Sequence, residues 1–220
     1  MSNRVRVWDL PTRVFHWALV VTVAGLVTTA QIGGDAMVWH FRCGYAALSL
    51  LLFRIVWGLA GGYWSRFASF VYSPATVFHY LMGRGRPEHS IGHNPAGALS
   101  VFSMLALLVL QAGSGLVSDD GVAAAGPFVS LVPNAWVSVA TYYHAEVGKL
   151  LLLGLLALHI GTVFFYRFGK GVDLVTPMIR GDKQTPLALV SSRDDGFSRL
   201  LAAALFLGFA GLVAWLVTSA

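Results

Sequence analysis

Four histidines of this chain lie within or at the ends of long apolar segments. His144 and His159 stand in the stretch YYHAEVGKLLLLGLLALHI, and His16 and His40 stand in two apolar segments nearer the N-terminus. An ionisable side chain inside a membrane is energetically expensive, and it usually faces the interior of a helix bundle with a partner. Two imidazoles from facing helices, with no thiolate or carboxylate beside them, suit the axial positions of a haem iron.

The spacing of these histidines places them at two depths of a membrane. His144 and His159 are 15 residues apart, which corresponds to about 22 Å of helix rise and about 60° of rotation. One helix then offers an imidazole near each membrane face, and both point toward roughly the same interior. Because successive spans run in opposite directions, depth pairs His16 with His159 near one face and His40 with His144 near the other.

Other functions of the same histidines stay open at this point. Zinc usually takes four ligands, often with cysteine or carboxylate among them, and the chain has a single cysteine, Cys43. That single cysteine also excludes an intrachain disulfide and a covalent Cys-x-x-Cys-His haem site. A proton relay commonly uses carboxylates within the membrane. The alternatives to haem are therefore a histidine-based metal or proton transporter, and a passive membrane anchor whose histidines are structural.

The composition is that of an integral membrane protein. Of the 220 residues, 56% are hydrophobic and 11% are charged, with a mean hydropathy of +0.69, whereas a soluble domain carries about a quarter charged residues. A membrane helix needs about 20 mostly apolar residues. Five segments meet this requirement, at 14–32, 37–59, 96–117, 143–165 and 200–217. The predicted fold class is all-α, a four-helix transmembrane bundle followed by a fifth, C-terminal transmembrane helix.

The distribution of Lys and Arg predicts how the chain crosses the membrane. These residues occur before the first span, between the second and third, and after the fourth, whereas the loops at 33–36 and 118–142 contain none. The positive-inside rule therefore predicts a cytoplasmic N-terminus and an external C-terminus. The same pattern accounts for the net charge of +5, so we expect no nucleic-acid partner.

Four motifs of the chain occur together in one known family. They are VRVWDLPTRVFHW, FRCGYAALSLLLFRIVWG, RPEHSIGHNPAGALSVFSMLALLVLQAGSGL and YHAEVGKLLLLGLLALH. From about residue 5 to residue 181 the chain resembles the bacterial di-haem cytochrome b-561 family, especially the branch containing the cytochrome b subunits of nickel-iron hydrogenases. The resemblance implies a four-helix core with two non-covalent haem b groups. It implies His16 and His159 as axial ligands on the cytoplasmic side, and His40 and His144 on the periplasmic side.

This resemblance also suggests a division of the chain and a location. We predict a di-haem membrane domain with four transmembrane helices at 1–181, a cytoplasmic linker at 182–199 and an additional transmembrane helix at 200–220. The expected location is the bacterial inner membrane, with the C-terminus in the periplasm. We assign no function to the fifth helix.

Several basic residues are candidates for contact with the haem propionates, which are anionic. Arg42 and Lys149 belong to the external half, and Arg54 lies near the cytoplasmic end of the second span. Snorkelling to the interface is an equally good explanation for Lys149, and topological anchoring explains Arg54 nearly as well. His89 and His93, in the RPEHSIGHNP motif, are candidates for the vicinity of the inner haem or of a quinone, although surface histidines are usually only solvated.

The function implied is transmembrane electron transfer between the quinone pool and a periplasmic redox protein. That protein would be a c-type cytochrome or a hydrogenase-like enzyme. The other expected partners are membrane lipid and a second copy of the chain in a homodimer. Quinol oxidation or quinone reduction would make the protein the quinone-reactive subunit of an oxidoreductase. The sequence identifies no quinone pocket, so whether the chain is itself an enzyme stays open.

Overall fold

The computed structural model describes residues 3–86, 89, 91–122, 124–187 and 189–219. Pro87, Glu88 and Ser90 of the RPEHSIGHNP motif are therefore outside the described residues. Within the described ranges, five helices are long and apolar enough to cross a membrane, which confirms a mostly helical, multi-pass membrane protein. They are Leu10–Ile32, Gly34–Ala60, Pro95–Leu116, Asn134–Gly169 and Gly196–Thr218.

The helices and strands follow one another along the chain in a simple order. They are β1 (Asn3–Arg6), α1 (Leu10–Ile32), α2 (Met37–Ala60), α3 (Pro74–Leu81), α4 (Pro95–Leu116), α5 (Asn134–Tyr142), α6 (Lys149–Phe164), α7 (Val175–Arg180), β2 (Asp182–Thr185) and α8 (Gly196–Thr218). Two π-helical turns, Tyr143–Gly148 and Phe165–Gly169, flank α6.

The start of α4 follows from the residues that precede it. Pro95 occupies the first helical position, where its missing N–H leaves no hydrogen bond unmade. The Asn94 side chain accepts a hydrogen bond from the backbone N–H of Gly97 at 2.7 Å. This is a side-chain N-cap, which satisfies one of the free N–H groups of the first turn.

The fourth membrane helix is longer than the sequence predicts. It runs without interruption over Asn134–Gly169, 36 residues, whereas the predicted span begins at residue 143. The polar side chains of α5 reduce its hydropathy, so the sequence did not assign it to the membrane span. Ser138 and Thr141 donate their hydroxyls to the carbonyls four residues earlier, at 3.1 Å and 2.8 Å, so their polarity is satisfied within the helix itself.

The chain divides into two compact units, and each of the five long helices contributes a part to both. The first unit comprises Met1–Phe15, Arg54–Ser103 and Ala157–Ala203, and the second comprises His16–Phe53, Met104–Leu156 and Ala204–Ala220. The core of the second unit contains one buried residue from each of four helices. They are Val23 of α1, Leu51 of α2, Leu108 of α4 and Leu152 of α6.

The fifth helix packs on this four-helix core within the second unit. Phe206 of α8 meets Phe53 of α2 edge to face, with ring centroids 6.3 Å apart. Val213 of α8 is almost completely buried. These contacts agree with the predicted four-helix bundle followed by a fifth helix.

The first unit contains a two-stranded sheet that the sequence analysis does not anticipate. Strand β1 pairs antiparallel with β2, with Asn3 opposite Thr185 and Arg6 opposite Asp182. Gly181 turns the chain into β2 with a φ of 91°, a left-handed conformation that favours glycine. The segment predicted as a linker at 182–199 therefore begins with an ordered strand.

Candidate functional site

His40 of α2 and His144 of the first π-helical turn lie side by side in the second unit. Their ring centroids are 6.1 Å apart and their ring planes are nearly perpendicular, at 85°. Both side chains are half-buried. The structure thus brings together two of the four histidines that the sequence singles out, and their role as ligands of one iron stays a prediction.

Each of these two rings is held through Nδ1 by a backbone carbonyl of another helix. His40 Nδ1 lies 3.1 Å from the carbonyl of Leu26 in α1, and His144 Nδ1 lies 2.9 Å from that of Gln111 in α4. A carbonyl oxygen only accepts hydrogen bonds, so Nδ1 carries the proton in both rings. In the neutral imidazole, Nε2 then keeps its lone pair and is available to a metal.

Gln111 holds His144 a second time, through its side chain. The Gln111 Nε2 donates to the backbone carbonyl of His144 at 2.8 Å. The backbone carbonyl of Gln111 accepts from Nδ1 of the His144 ring. Since His144 lies in a π-helical turn, its backbone departs from the regular i to i−4 ladder, a feature that is frequent at functional sites. Gln111 and His144 therefore fix each other across α4 and the turn.

Gly115 lets α4 approach the His144 ring closely. A Cβ atom at this position would lie 2.8 Å from His144 Cε1, closer than carbon atoms can approach without a shift. Gly113, two residues earlier on α4, has no atom within 4 Å of its Cβ position. The missing side chain thus matters at Gly115, where it leaves room for the imidazole.

The His40–His144 pair fits a metal that takes two ligands from the protein. Bonds of about 2 Å, the length of histidine–zinc bonds, place two imidazole centroids on opposite sides of one ion about 6 Å apart. The observed separation of 6.1 Å agrees with this value. His40 and His144 would hold a haem iron without further protein ligands, because the porphyrin supplies the other four. The donors present, two neutral imidazoles each fixed through Nδ1, suit a haem.

The other two predicted ligands fall in different units. His16 lies on α1 in the second unit, where its ring meets Trp17 edge to face at 5.1 Å. His159 lies on α6 in the first unit, with its side chain half-buried. Their pairing with each other stays a prediction.

Two further predicted residues, the buried Arg54 and the half-buried His93, belong to the first unit. The Arg54 side chain is 3% exposed and lies over the ring of Phe67 at 4.7 Å. The His93 ring lies between Trp8 and Phe70, at 4.7 Å and 4.2 Å. Arg54 Nη1 and His93 Nδ1 are buried atoms that find no hydrogen-bond partner within the described part of the chain. Each of these two atoms would suit an anionic or polar ligand.

The environment of His93, which precedes α4, favours its neutral form. Burial and, to a smaller extent, the positive charge of Arg54 lower the pKa of His93 from 6.5 to about 3. The ring is therefore uncharged at neutral pH. It can act there as a hydrogen-bonding or packing group and adds no positive charge beside Arg54.

The remaining predicted residues have ordinary surroundings. Arg42 is exposed and lies over the ring of Trp39 at 4.8 Å, and Lys149, the first residue of α6, is half-buried. His89 Nδ1 accepts the N–H of Arg86 at 3.2 Å, as it would in a structured surface loop. The predicted roles of Arg42, Lys149 and His89 beside a haem or a quinone stay predictions.

Asp9 is a residue of structural importance that the sequence analysis missed. Its side chain is fully buried, and it accepts hydrogen bonds from Ser65 Oγ at 2.8 Å and from the N–H groups of Thr12 and Gly62 at 2.8 Å and 3.1 Å. The Trp57 indole N–H also points to it at 3.3 Å. The sequence signal was available, since Asp before Leu-Pro is a helix N-cap pattern.

Comparison with known families identifies the family of this chain. The family model of prokaryotic cytochrome b561 matches residues 7–181, which include all four histidines. The chain belongs to the prokaryotic cytochrome b561 family. This cytochrome is therefore a multi-pass membrane protein that binds b-type haem.

Similar proteins are found in several bacteria. The probable Ni/Fe-hydrogenase 1 B-type cytochrome subunit of Escherichia coli is 26% identical over 141 residues, 51% of this chain and 60% of that protein. A probable Ni/Fe-hydrogenase B-type cytochrome subunit of Bradyrhizobium diazoefficiens is 25% identical over 217 residues, 82% and 86% of the two chains. That of Azotobacter vinelandii is 33% identical over 128 residues, 46% and 53%.

The coverage of these relatives is uneven. The alignment spans only 60% of the length of the Escherichia coli protein. No solved structure shows significant similarity to the cytochrome.

Proposed function

We propose that this cytochrome transfers electrons across the membrane through two b-type haems, one held by His40 and His144 and the other by His16 and His159. The observation that carries the proposal is the His40–His144 pair, with its 6.1 Å separation and its two rings fixed through Nδ1. Haem iron in such a site takes up and releases single electrons, which is the chemistry that the bound group supplies.

The protein's own contribution is to hold the ligands. Leu26 and Gln111 each fix an imidazole through a backbone carbonyl, so the rings need little rearrangement when they bind a metal. Hydrogen bonds to the second nitrogen of a ligating histidine also raise its basicity. The apolar core of Val23, Leu51, Leu108 and Leu152 belongs to the same unit and keeps water away from its interior.

Arg54 is the basic residue that best suits a propionate of the second haem. It is buried, and one of its terminal nitrogens has no hydrogen-bond partner within the described chain. Burial of a cation is unfavourable unless it is paired and hydrogen-bonded. Asp9 supplies one nearby negative charge, and a propionate would accept a hydrogen bond from the terminal nitrogen of Arg54 that has no such partner. Arg42 is exposed and Lys149 is half-buried. We propose both as secondary contacts for the haem of His40 and His144.

The partners of the electron transfer are proposed from the relatives. Their printed names describe cytochrome subunits of Ni/Fe-hydrogenases. We therefore propose a hydrogenase-like enzyme or a c-type cytochrome on the periplasmic side, and the quinone pool as the other redox partner. His89 and His93 are the candidates for the neighbourhood of the quinone or of the inner haem. The loops that carry Lys and Arg would face the cytoplasm of a bacterial inner membrane.

A haem count on single-histidine variants tests the proposal. Purified wild-type protein should contain two haem b per chain, by pyridine haemochrome assay and reduced-minus-oxidised spectra. His40→Ala and His144→Ala should each leave the same single haem, since they remove opposite ligands of one iron. His16→Ala and His159→Ala should each leave the other haem, with a different spectrum.

The exposed His79 provides the matched control, because it lies outside both pairs. His79→Ala should keep both haems. A haem-free wild-type protein would contradict the proposal altogether. Loss of different haems from His40→Ala and His144→Ala would contradict the pairing while leaving a haem protein.

A further inference from the structure

A basic cleft lies on the first unit, beside α3. It has a volume of about 310 Å³, enough for a phosphate group with its immediate substituents. Its walls are formed by Tyr72, Thr76, His79, Arg84, Arg86 and His89.

Local hydrogen bonds hold the walls of this cleft in place. Helix α3 ends at Leu81, and the turn after it includes Gly83, whose φ of 79° is left-handed. This turn brings the N–H of Arg84 to the carbonyl of His79 at 2.9 Å. The N–H of Arg86 donates to His89 Nδ1 at 3.2 Å, and the His89 ring meets Tyr72 edge to face at 5.3 Å. The basic side chains are thus carried by a folded loop.

The charged side chains that line the cleft, within the described part of the chain, are all basic. Arg84 and Arg86 are exposed guanidinium groups, and the two histidines add further N–H donors. Among the residues that the structure describes, no carboxylate lines the cleft. Guanidinium groups bind phosphate well, because their planar set of N–H donors matches phosphate oxygens.

An apolar surface lies next to the cleft on the same helix. Phe78 and Leu81 of α3 and the following Met82 are 59%, 64% and 64% exposed. Their spacing of three and four residues puts them on one face of the helix, beside the face that carries Thr76 and His79. An exposed apolar stripe next to clustered basic residues is typical of a helix lying at the membrane surface, with its apolar side among acyl chains.

We propose that this cleft binds the head-group phosphate of an anionic phospholipid, with the acyl chains along Phe78, Leu81 and Met82. A lipid satisfies both features at once, since its phosphate meets Arg84 and Arg86 and its chains cover the apolar side. A soluble phosphate compound would leave that apolar side unexplained. Basic pockets on the cytoplasmic side of membrane proteins bind anionic head groups in this manner. The proposal requires only that the chain lies in a membrane, so it stands apart from the assignment of the haem ligands.

Native mass spectrometry with added phosphatidylglycerol tests the proposal on the full chain in detergent. The double variant Arg84→Gln/Arg86→Gln should bind phosphatidylglycerol roughly tenfold more weakly, since a basic residue near a membrane surface contributes substantially to anionic-lipid attraction. Arg84→Lys/Arg86→Lys, which keeps the charge, should retain most of the binding. Haem content, measured on every variant, should stay at the wild-type level, because both arginines are exposed.

Arg66 and Arg180 supply the control of equal charge. Both are exposed residues of the same unit and neither lines the cleft, so Arg66→Gln/Arg180→Gln should bind phosphatidylglycerol as the wild type does. Equal weakening in this control would overturn the proposal in favour of unspecific surface charge. Displacement of the lipid by millimolar inorganic phosphate would overturn it in favour of a free-phosphate site. Unchanged binding in Arg84→Gln/Arg86→Gln would also overturn it.

Discussion

At the scale of single residues, the two adjacent histidines differ in how firmly their rings are held. His40 has a carbonyl partner at 3.1 Å, whereas His144 has one at 2.9 Å and belongs to a residue pair that is bonded in both directions. Gln111 supplies both of those bonds, one from its backbone and one from its side chain. The side chain of Gln111 is thus a positioning group for His144.

Replacing Gln111 with Leu should weaken binding of the haem that we propose for His40 and His144. The substitution removes the 2.8 Å bond to the His144 carbonyl but keeps the backbone carbonyl that fixes the ring. Loss of a group that orients a metal ligand typically weakens metal affinity about 10- to 100-fold. Haem transfer to apomyoglobin, followed by difference spectra, should show faster loss of this haem alone.

Ser114→Ala is the comparison, since Ser114 Oγ lies 3.3 Å from the same ring nitrogen and is a weaker partner than the carbonyl. It should change haem loss less than Gln111→Leu does. If both haems are lost equally fast from Gln111→Leu, Gln111 acts on the whole bundle and not on His144.

His93 should make the folded protein sensitive to mild acid. Its pKa is about 3 in the folded protein and 6.5 ordinarily, so between these values the unfolded chain binds the proton that the folded chain excludes. Stability contributed by the neutral ring is complete above pH 6.5 and decreases as the pH falls, by at most about 1.4 kcal/mol per pH unit. The midpoint temperatures of thermal unfolding at pH 7.5 and pH 5 should therefore differ more in the wild type than in His93→Asn. Parallel pH profiles of the two proteins would contradict this.

The sequence indicates the pairing of these residues but not their supports. His40 and His144 could be paired because helix rise alone sets depth in a membrane. Gln111 and Asp9 could not be placed in the same way. Gln111 contacts His144, and Asp9 contacts Ser65 and Gly62. These partners lie far along the chain, and local sequence does not indicate which residues meet.

At the scale of helices and strands, the segment after α7 is joined to the start of the chain by ions as well as by β pairing. Arg4 and Arg6 of β1 both contact Asp182 of β2. Asp194, whose side chain is 6% exposed, accepts from Arg6 Nη1 at 2.5 Å and from Arg199 Nε at 2.9 Å. It also accepts the N–H of Leu10 at 3.2 Å, so one carboxylate links β1, α1 and α8.

Asp194→Asn should destabilise the first unit. The substitution removes the negative charge of a buried carboxylate that pairs with Arg6 and Arg199, and an unpaired buried polar group costs about 1–3 kcal/mol. Asp173→Asn is the control, because the Arg167–Asp173 pair is 3.5 Å long with side chains 54% and 35% exposed. Such surface pairs contribute about 0–1 kcal/mol. The midpoint temperature of thermal unfolding should fall clearly in Asp194→Asn and little in Asp173→Asn. Equal falls in the two variants would show that burial of Asp194 is unimportant.

The existence of the five membrane helices could be predicted, and the bounds of α2 almost to the residue, but the strands could not. Hydropathy identifies α2, which the sequence places at 37–59 and which spans Met37–Ala60, because long apolar runs have few other uses. Strands β1 and β2 have four residues each and lie at opposite ends of the matched region. Nothing in either four-residue segment indicates that the two segments pair across such a separation. The segment before α8 was therefore predicted to be a linker.

At the scale of the whole molecule, orientation in the membrane is the prediction that most affects function. Val122 is 90% exposed in the loop after α4, which contains no Lys or Arg, and Arg180 is exposed at the end of α7. In a Cys43→Ala background, Val122→Cys should react with an impermeant maleimide in intact spheroplasts. Arg180→Cys should react only after the membrane is opened. The reverse pattern would contradict the positive-inside assignment.

The continuous helix over Asn134–Gly169 is longer than a bilayer requires. Its 36 residues rise about 54 Å, whereas the hydrocarbon layer is about 30 Å thick. Roughly 24 Å of helix must therefore stand among head groups or in water. Trp136, at the Asn134 end, is 67% exposed. A redox protein docking there would contact the end of a rigid helix. The length of that helix, and not a flexible loop, would then set the distance between the docked protein and His144.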